Sequence, residues 1–411
     1  MRIGIYADID TKKPSGVNQY IEKITLALIE ESEHHICIIT NEDYFNKYFF
    51  QFRRNPNVSF LVTTKLNYFF RRIFYNRYIR NFTEIFINKL NFISYLSKYL
   101  GNVKPLIYDL KLDVIHFPFQ CFPIYLYYWN IPTLITLHDL QQEHYPDFFN
   151  EKQLKYRSKY YKKSAVECDH ILVSFEHIKE DIVKFYNIST EKITVTHLGI
   201  ENRFKHIYVI KKDDLFNKFN IKNNFIFYPA QTWKHKNHIK LLDALVILRD
   251  KYKRKIYLIC TGNIDDNFKN IREHIDKKKL TEQVSFLGFI SIAELYSLYI
   301  YSDLVVIPTL YEAGSFPLIE AMSFKKPVIC SNVTSLPETI GDNRFVFNPN
   351  NEEEMAKMIL DMLENRELRS LNIKNSKKQI RRFNWESIIN NFIYGYQKAI
   401  DNFKVKRRNK Q

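Results

Sequence analysis

Two glutamates eight residues apart carry the sharpest chemical signal in this 411-residue chain. They sit in YEAGSFPLIEAM, Tyr311 to Met322, directly after the apolar run Leu304–Pro308. Gly314 permits a tight turn close to a ligand, and Pro317 suits the first position of a helix. Such a helix start offers unpaired N–H groups and a positive dipole end, which fits a phosphate. Glu312 stands before the helix and Glu320 is expected in its first turn. Two carboxylates so placed can accept hydrogen bonds from different hydroxyls of one ligand. Taken singly, each glutamate reads better as structural, compensating a helix dipole, than as functional, so the neighbouring motifs decide.

Three further segments supply them. Trp233, Lys234, His235, Lys236 and Asn237 follow the run Phe225–Pro229. Fixed cations there would stabilise negative charge developing on a leaving group. Lys236 is the expected contact, His235 adds full charge only as imidazolium, and Lys234 can make up the difference. By itself this segment reads as a solvated basic loop. His138, in LHDL, follows the apolar run Thr133–Leu137 and is expected to point into a crevice, with Asp139 orienting the loop. His116, in DVIHFPF, is placed on the far side of the same crevice. Gly16, in Pro14-Ser15-Gly16-Val17, lets backbone approach a phosphate between the first strand and the first helix. Asp8-Ile9-Asp10 spells a metal-binding Asp-x-Asp, but it lies in the first strand-turn and is rejected as a metal site. His138, His144 and His116 lack the spacing of a zinc site.

The elements that must position these residues alternate between short apolar runs and longer helical patterns. Arg2–Tyr6, Ile36–Thr40, Val114–Phe117, Thr133–Leu137 and His170–Ser174 read as strands, with Ile21, Ile24, Leu28 and Ile29 at helical spacing after the first. The pattern restarts with Phe225–Pro229, Ile256–Thr261, Val284–Leu287, Leu304–Pro308 and Val328–Ser331. Strand–helix alternation predicts parallel sheets covered on both faces, and the fold class is α/β, two Rossmann-like domains facing across a cleft. The expected bounds are 1–205 for the first domain, with a helical insertion at 65–100, 206–385 for the second, and 386–411 for a terminal helix packing back toward the first domain, with a basic tail. Ligands in such sheets bind at the carboxyl ends of the strands.

The 312–320 segment resembles the Glu-x7-Glu motif of retaining GT-B glycosyltransferases, family 4. The resemblance covers most of the chain and is sharpest from YPAQTWKHKNH to SLPETIGDNRFVFNP. It implies that Glu312 holds hydroxyls of a donor sugar and Glu320 the nucleotide ribose. Amides near Gly314, Ser315, Phe316 and Leu318 would meet sugar and phosphate, and His138 would approach the sugar. The chain departs from the family at two places. Ala313-Gly314-Ser315 replaces Gly-Phe-Gly, and His235 replaces an arginine. The implied reaction moves a sugar from a nucleotide-diphosphate sugar to a glycan or lipid-linked glycan in cell-surface polysaccharide or lipopolysaccharide synthesis. Configuration would be retained, with no cofactor and no metal. A nucleotide-sugar epimerase of the same fold and a non-catalytic polyanion-binding protein are the alternatives.

Bulk composition bounds the partners. Hydrophobic residues make up 45% of the chain, enough for sizeable cores. Cys37, Cys121, Cys168, Cys260 and Cys330 form no CxxC pair and read as buried free thiols of a reducing compartment. The N-terminus reads as a strand rather than a secretory signal, and no run has the length of a membrane span. A cytoplasmic protein, peripheral at the inner face of the cell membrane, is expected. The net charge of +16 reflects a Lys- and Asn-rich coding bias in part. Arg71, Arg72, Arg77 and Arg80 among aromatics in the 65–100 insertion suit an anionic membrane surface. No nucleic-acid partner is expected.

Overall fold

A computed structural model describes residues 1–8, 16–63, 107–123, 130–197, 199, 208–265 and 267–408. The 65–100 insertion with its four arginines, Pro14, Ser15 and the Ile9-Asp10 half of the Asp-x-Asp lie outside the described residues. The strands are β1 (Arg2–Ala7), β2 (His35–Asn41), β3 (Val58–Thr63), β4 (Val114–Phe117), β5 (Thr133–Thr136), β6 (His170–Val173) and β7 (Ile193–Val195) in one sheet. A second sheet holds β8 (Phe225–Pro229), β9 (Tyr257–Thr261), β10 (Val284–Phe286), β11 (Leu304–Ile307), β12 (Val328–Ser331) and β13 (Val346–Phe347).

Both sheets are parallel throughout. Their orders are β3-β2-β1-β4-β5-β6-β7 and β10-β9-β8-β11-β12-β13. Strands β4, β5, β6, β8, β11 and β12 are buried at every position. They are covered on both faces, and so their sequences run apolar rather than alternating. Each sheet reverses its direction of growth once, between β1 and β4 and between β8 and β11. Such a switch point leaves a crevice outside the carboxyl ends of the two strands. The loops after β8 and β11 carry Lys236 and Glu312, and the loop after β5 carries His138.

The helices used below are α1 (Gly16–Glu31), α2 (Gln141–His144), α3 (Glu151–Glu167), α4 (Glu176–Tyr186), α5 (His238–Asp250), α6 (Ile292–Tyr301), α7 (Phe316–Ser323), α8 (Ser335–Ile340) and α9 (Trp385–Arg408). The last of these crosses back to the first domain and packs on β4 to β7 and on α1. Its approach to the sheet is close: a Cβ on Gly395 would lie 2.6 Å from Leu172 Cδ2. All five cysteines are free and buried. No helix among the described residues is long and apolar enough to cross a membrane.

Candidate active site

The loop after β8 makes one 3₁₀ turn, Lys234–Lys236, and is stopped by Asn237 at φ +60°. Asparagine tolerates this left-handed conformation better than most residues. The buried Asn237 side chain donates to the carbonyls of Pro308 and Pro349, each at 2.9 Å, and Tyr228 Oη donates to Lys236 O at 2.8 Å. The turn is thereby pinned to the end of β11. Its direction sends Lys236 Nζ to Glu312 Oε2 at 2.7 Å, with 13% and 12% of the two side chains exposed.

Glu312 is fixed through its backbone. Its N–H donates to Thr334 Oγ1 at 3.0 Å, while Thr334 Oγ1 and Ser335 Oγ donate to its carbonyl at 2.8 and 2.9 Å. Thr334 holds this arrangement at φ +48°, ψ −120°, a conformation strained for a β-branched residue. Neither the role nor the strain of Thr334 is visible in the sequence, because it acts across 22 residues.

Helix α7 begins one residue earlier than the sequence suggests. Ser315 is the N-cap, Phe316 the first helical residue and Pro317 the second. Glu320 is therefore the fifth helical residue, outside the first turn, where dipole compensation falls away. That removes the ordinary explanation for its position. Its carboxyl is half-buried, accepts from Tyr299 Oη at 2.8 Å, and is pushed up to about 7 by desolvation, partly offset by that hydrogen bond and by Lys23. The phosphate-facing amides also need correcting. Ser315 Oγ accepts from Leu318 N at 3.3 Å, and Pro317 has no N–H. Among these loop residues Gly314, Ser315 and Phe316 hold the amides that remain, and the Leu318 amide is engaged within the helix.

His235 departs from its expected role as a cation. Burial, with Lys236 and His238 beside it, pushes its imidazole down to about 3, so it is neutral at physiological pH. Its ring lies between Trp233 and Phe148, with centroids at 5.5 and 6.2 Å. Phe148 belongs to the first domain and stacks on Tyr145 at 4.9 Å. Lys234 Nζ sits 5.7 Å from the centroid of the same Phe148 ring. The residue that replaces the family's arginine is thus an aromatic contact across the cleft.

The first domain supplies the opposite wall. His138 is held by its backbone N–H, which donates to Gln120 Oε1 at 2.7 Å, and by its ring, whose Nε2 lies 3.2 Å from the carbonyl of Pro118. A carbonyl only accepts, so Nε2 carries the hydrogen. Burial keeps the ring below its ordinary value despite the Pro118 carbonyl and Asp139, so Nδ1 is left as an acceptor. Tyr20 of α1 packs edge-on against this ring at 4.7 Å and bonds Thr136 Oγ1 at 3.1 Å. Asp139 pairs with Arg157 at 3.1 Å, and Leu140 N donates to Tyr311 Oη at 3.3 Å. The His138 loop therefore touches the residue that precedes Glu312. Gly16 is exposed at the first position of α1, and a Cβ there would meet nothing within 4 Å. From the same helix Lys23 lies 4.7 Å over the Phe316 ring. His116 is not at the crevice. It is fully buried within β4, bonded to Tyr396 Oη at 3.0 Å and Thr136 Oγ1 at 2.7 Å, a histidine satisfied inside the core.

The site thus gathers Lys236, Glu312, Glu320, the Gly314–Phe316 amides and His138, with Tyr20 and Lys23 of α1 against His138 and Phe316. Sequence reasoning missed Thr334, Tyr299, Tyr20 and Tyr311, the supports that hold them. Among the described residues no three His, Cys, Asp or Glu side chains group as a metal site.

Comparison with known proteins bears on the family and the fold. The glycosyl transferases group 1 model matches residues 211–379, and the Glycosyltransferase Family 4 model matches residues 14–203. O-antigen chain mannosyltransferase B of Escherichia coli is 25% identical over 266 residues, covering 64% of this chain and 70% of that protein. O-antigen chain mannosyltransferase RfbU of Salmonella typhimurium is 28% identical over 234 residues, covering 56% of this chain and 62% of that protein. Among solved structures, Anabaena HepE in complex with UDP and glucose superposes with a TM-score of 0.67 at 16% identity, covering 96% of this chain and 98% of that one. WaaG, a glycosyltransferase involved in lipopolysaccharide biosynthesis, superposes with a TM-score of 0.62 at 13% identity, covering 98% of this chain and 99% of that one. At these identities the structural likenesses establish the fold alone.

Proposed function

Because the chain belongs to the family 4 glycosyltransferases of the GT-B fold, we propose that it moves a sugar from a nucleotide-diphosphate sugar to a hydroxyl of a surface glycan or lipid-linked glycan, with retention of configuration. The observation that carries this reading is the Lys236–Glu312 pair, set at the switch point of the second sheet. A cation and a carboxylate that satisfy each other are the two groups a sugar diphosphate would separate. Lys236 would turn to the diphosphate and Glu312 to the sugar hydroxyls. Glu320 would accept from the ribose and His138 Nδ1 from the sugar, across the cleft.

As the bond to the diphosphate breaks, negative charge grows beside Lys236 and the Gly314–Phe316 amides. Fixed donors stabilise that charge without reorganising. Among the described residues no side chain at the site is placed as a covalent nucleophile. The acceptor hydroxyl would therefore attack on the face that the leaving phosphate occupies, passing its proton to that phosphate. The fixed donors serve in place of a metal, so no cofactor is required. The O-antigen mannosyltransferase relatives favour an envelope glycan as acceptor, and a protein working at the cytoplasmic face of the membrane. An epimerase has no need of an acceptor, and a polyanion-binding protein has no need of the paired Glu312 and Lys236, so neither alternative is favoured.

The test is a thermal-shift screen of GDP-mannose, UDP-glucose and related donors, followed by transfer to lipid-extracted acceptors. A cognate donor at 100 times its Kd adds about 2.7 kcal/mol. No stabilisation by any nucleotide sugar would rule the reading out.

A further inference from the structure

Helix α1 brings two side chains to the cleft. Tyr20 packs edge-on against the His138 ring at 4.7 Å, and Lys23, about one turn on, lies over the Phe316 ring. The Tyr20 hydroxyl is also the near end of a buried polar chain. It bonds Thr136 Oγ1 at 3.1 Å, Thr136 Oγ1 bonds His116 Nε2 at 2.7 Å, and His116 Nδ1 bonds Tyr396 Oη of α9 at 3.0 Å. None of the four residues is more than 2% exposed.

The surroundings of this chain are apolar. Side chains alternate along a strand, so Val114 and His116 of β4 share a side of the sheet, as do Leu134 and Thr136 of β5. Val114, Leu134, Tyr20 and Tyr396 belong to one core cluster. Burying a polar group costs stability unless it is bonded, and apolar side chains would fill these places without that cost. Burial, with His138 beside it, holds the His116 imidazole well below its ordinary range. The ring is therefore neutral, with one nitrogen donating and the other accepting. The bond that Tyr396 makes at Nδ1 thereby sets whether Nε2 donates to Thr136 or accepts from it. Gly395 sets the depth of α9: a Cβ there would lie 2.6 Å from Leu172 Cδ2, and the next residue is the one that reaches His116.

We propose that Tyr20 is the positioning residue of His138, and that the chain through Thr136 and His116 to Tyr396 makes the orientation of the His138 ring depend on the docking of α9. This rests on the reading of His138 as a group at the donor sugar. His138 has two other holds, Gln120 on its backbone N–H and the Pro118 carbonyl at Nε2. The second pins one atom of the ring. The ring can still rock about the line from Cβ to Nε2, and that motion swings Nδ1, the acceptor, through an arc. Tyr20 closes the arc on one side. Its hydroxyl is tethered to Thr136, two residues before His138 on the same strand end, so the wall and the ring it supports share one base. Helix α9 is thus a condition for a correctly aimed Nδ1 as well as a cover for the sheet.

The experiment compares the full-length wild type with Tyr20→Phe, Tyr396→Phe and the double variant. Ile36→Ala, in the same core but near the amino end of β2, serves as the control for lost stability alone. All are measured well below the melting temperature of the least stable protein. The readouts are steady-state kinetics with the cognate donor and proton–nitrogen correlation spectra of the histidine rings, with the His138 signals identified by their loss in His138→Asn. The wild type should hold one His138 tautomer, with hydrogen on Nε2. Each tyrosine variant should show the second tautomer as well. Each should lower kcat about tenfold with KM for the donor within about twofold, inside the hundredfold that a misplacement of about 1 Å can cost. The double variant should be no slower than the slower single, because both act through one chain. Ile36→Ala should lower the melting temperature and leave kcat and the His138 signals as in the wild type. His138 signals unchanged in both tyrosine variants overturn the proposal, and a fall in melting temperature alone then marks the chain as core bonding. Signals that change while kcat holds overturn it too. If no nucleotide sugar is turned over by the wild type, the transfer reading fails, and the spectra still decide whether Tyr20 and Tyr396 set the His138 ring.

Discussion

Lys236 and Glu312 meet at 2.7 Å in a setting where little of either side chain reaches solvent. One comes from the loop after β8 and the other from the loop after β11, so the pair ties together the two strands that flank the switch point. Each charge satisfies the other, and a ligand of opposite chemistry would divide them.

Removing one partner should therefore be worse than removing both. Lys236→Met leaves a buried carboxylate without its counter-ion, and such losses run to about 3 kcal/mol or more. The Lys236→Met/Glu312→Gln double variant should recover part of that stability, with a coupling energy of about 1–3 kcal/mol in denaturant titrations. Donor affinity measured by calorimetry should fall in Lys236→Met, in Glu312→Gln and in the double, and should not recover in the double. Additive stabilities would show that the pair is not coupled.

Glu320 trades stability for readiness. Its carboxyl titrates at about 7 in the folded chain against an ordinary 4.5. A raised folded-state value contributes stability that is complete below pH 4.5 and is lost as pH rises through 7. The unliganded Glu320→Gln protein should then match the wild type near pH 4.5 and exceed it above pH 8, by on the order of 1–3 kcal/mol. Nucleotide affinity of the wild type should weaken as pH falls below 7, because the ionised carboxylate is the stronger acceptor. Parallel melting curves and binding titrations from pH 5 to 8.5 check both. Wild-type and Gln proteins that keep the same stability difference at every pH would contradict the assignment.

His235 should behave as an aromatic ring and not as a charge. His235→Phe keeps the contact between Trp233 and Phe148 and should retain turnover within about threefold, since such a ring pair contributes about 0.5–1.5 kcal/mol. His235→Ala and Phe148→Ala should each loosen the cleft and raise KM more than they lower kcat. A hundredfold loss of kcat in the phenylalanine variant would restore the histidine as a functional polar group.

Turnover should persist in EDTA. On the proposed reading, Lys236 and the amides of Gly314 to Phe316 would provide the positive field that a divalent ion provides in other designs. Loss of transfer on chelation, with recovery on adding magnesium or manganese, would return attention to Asp8 and its neighbours.

Much of this architecture could be read from the chain because doubly covered parallel strands leave apolar runs. Val114–Phe117, Phe225–Pro229 and Val328–Ser331 stand out for that reason. Three strands escaped notice. Ile193–Val195 and Val346–Phe347 are too short to leave a run, and Val58–Thr63 is only half-buried over most of its length at the sheet edge. Glu312, Glu320, Lys236 and His138 were legible because their spacing is local. Their supports were not. Thr334 reaches Glu312 from 22 residues away and Tyr20 reaches Thr136 from 116, and a threonine or tyrosine gives no local sign of such a partner. The displaced start of α7 turned on a single residue: Ser315 caps the helix, where proline had seemed to open it. His235 adds charge only as imidazolium, and the burial that keeps it neutral could not be read from the sequence.

The closure of the first sheet by α9 has a consequence for how the chain comes off the ribosome. His116 of β4 finds one of its two hydrogen-bond partners in Tyr396, 280 residues further on, and Trp385, Phe392 and Ala399 fill the same core cluster as β1 and α1. Nascent β4 to β7 must therefore wait, with one apolar face open, until α9 has been translated. The domain translated first is thus completed by a helix translated after the second domain.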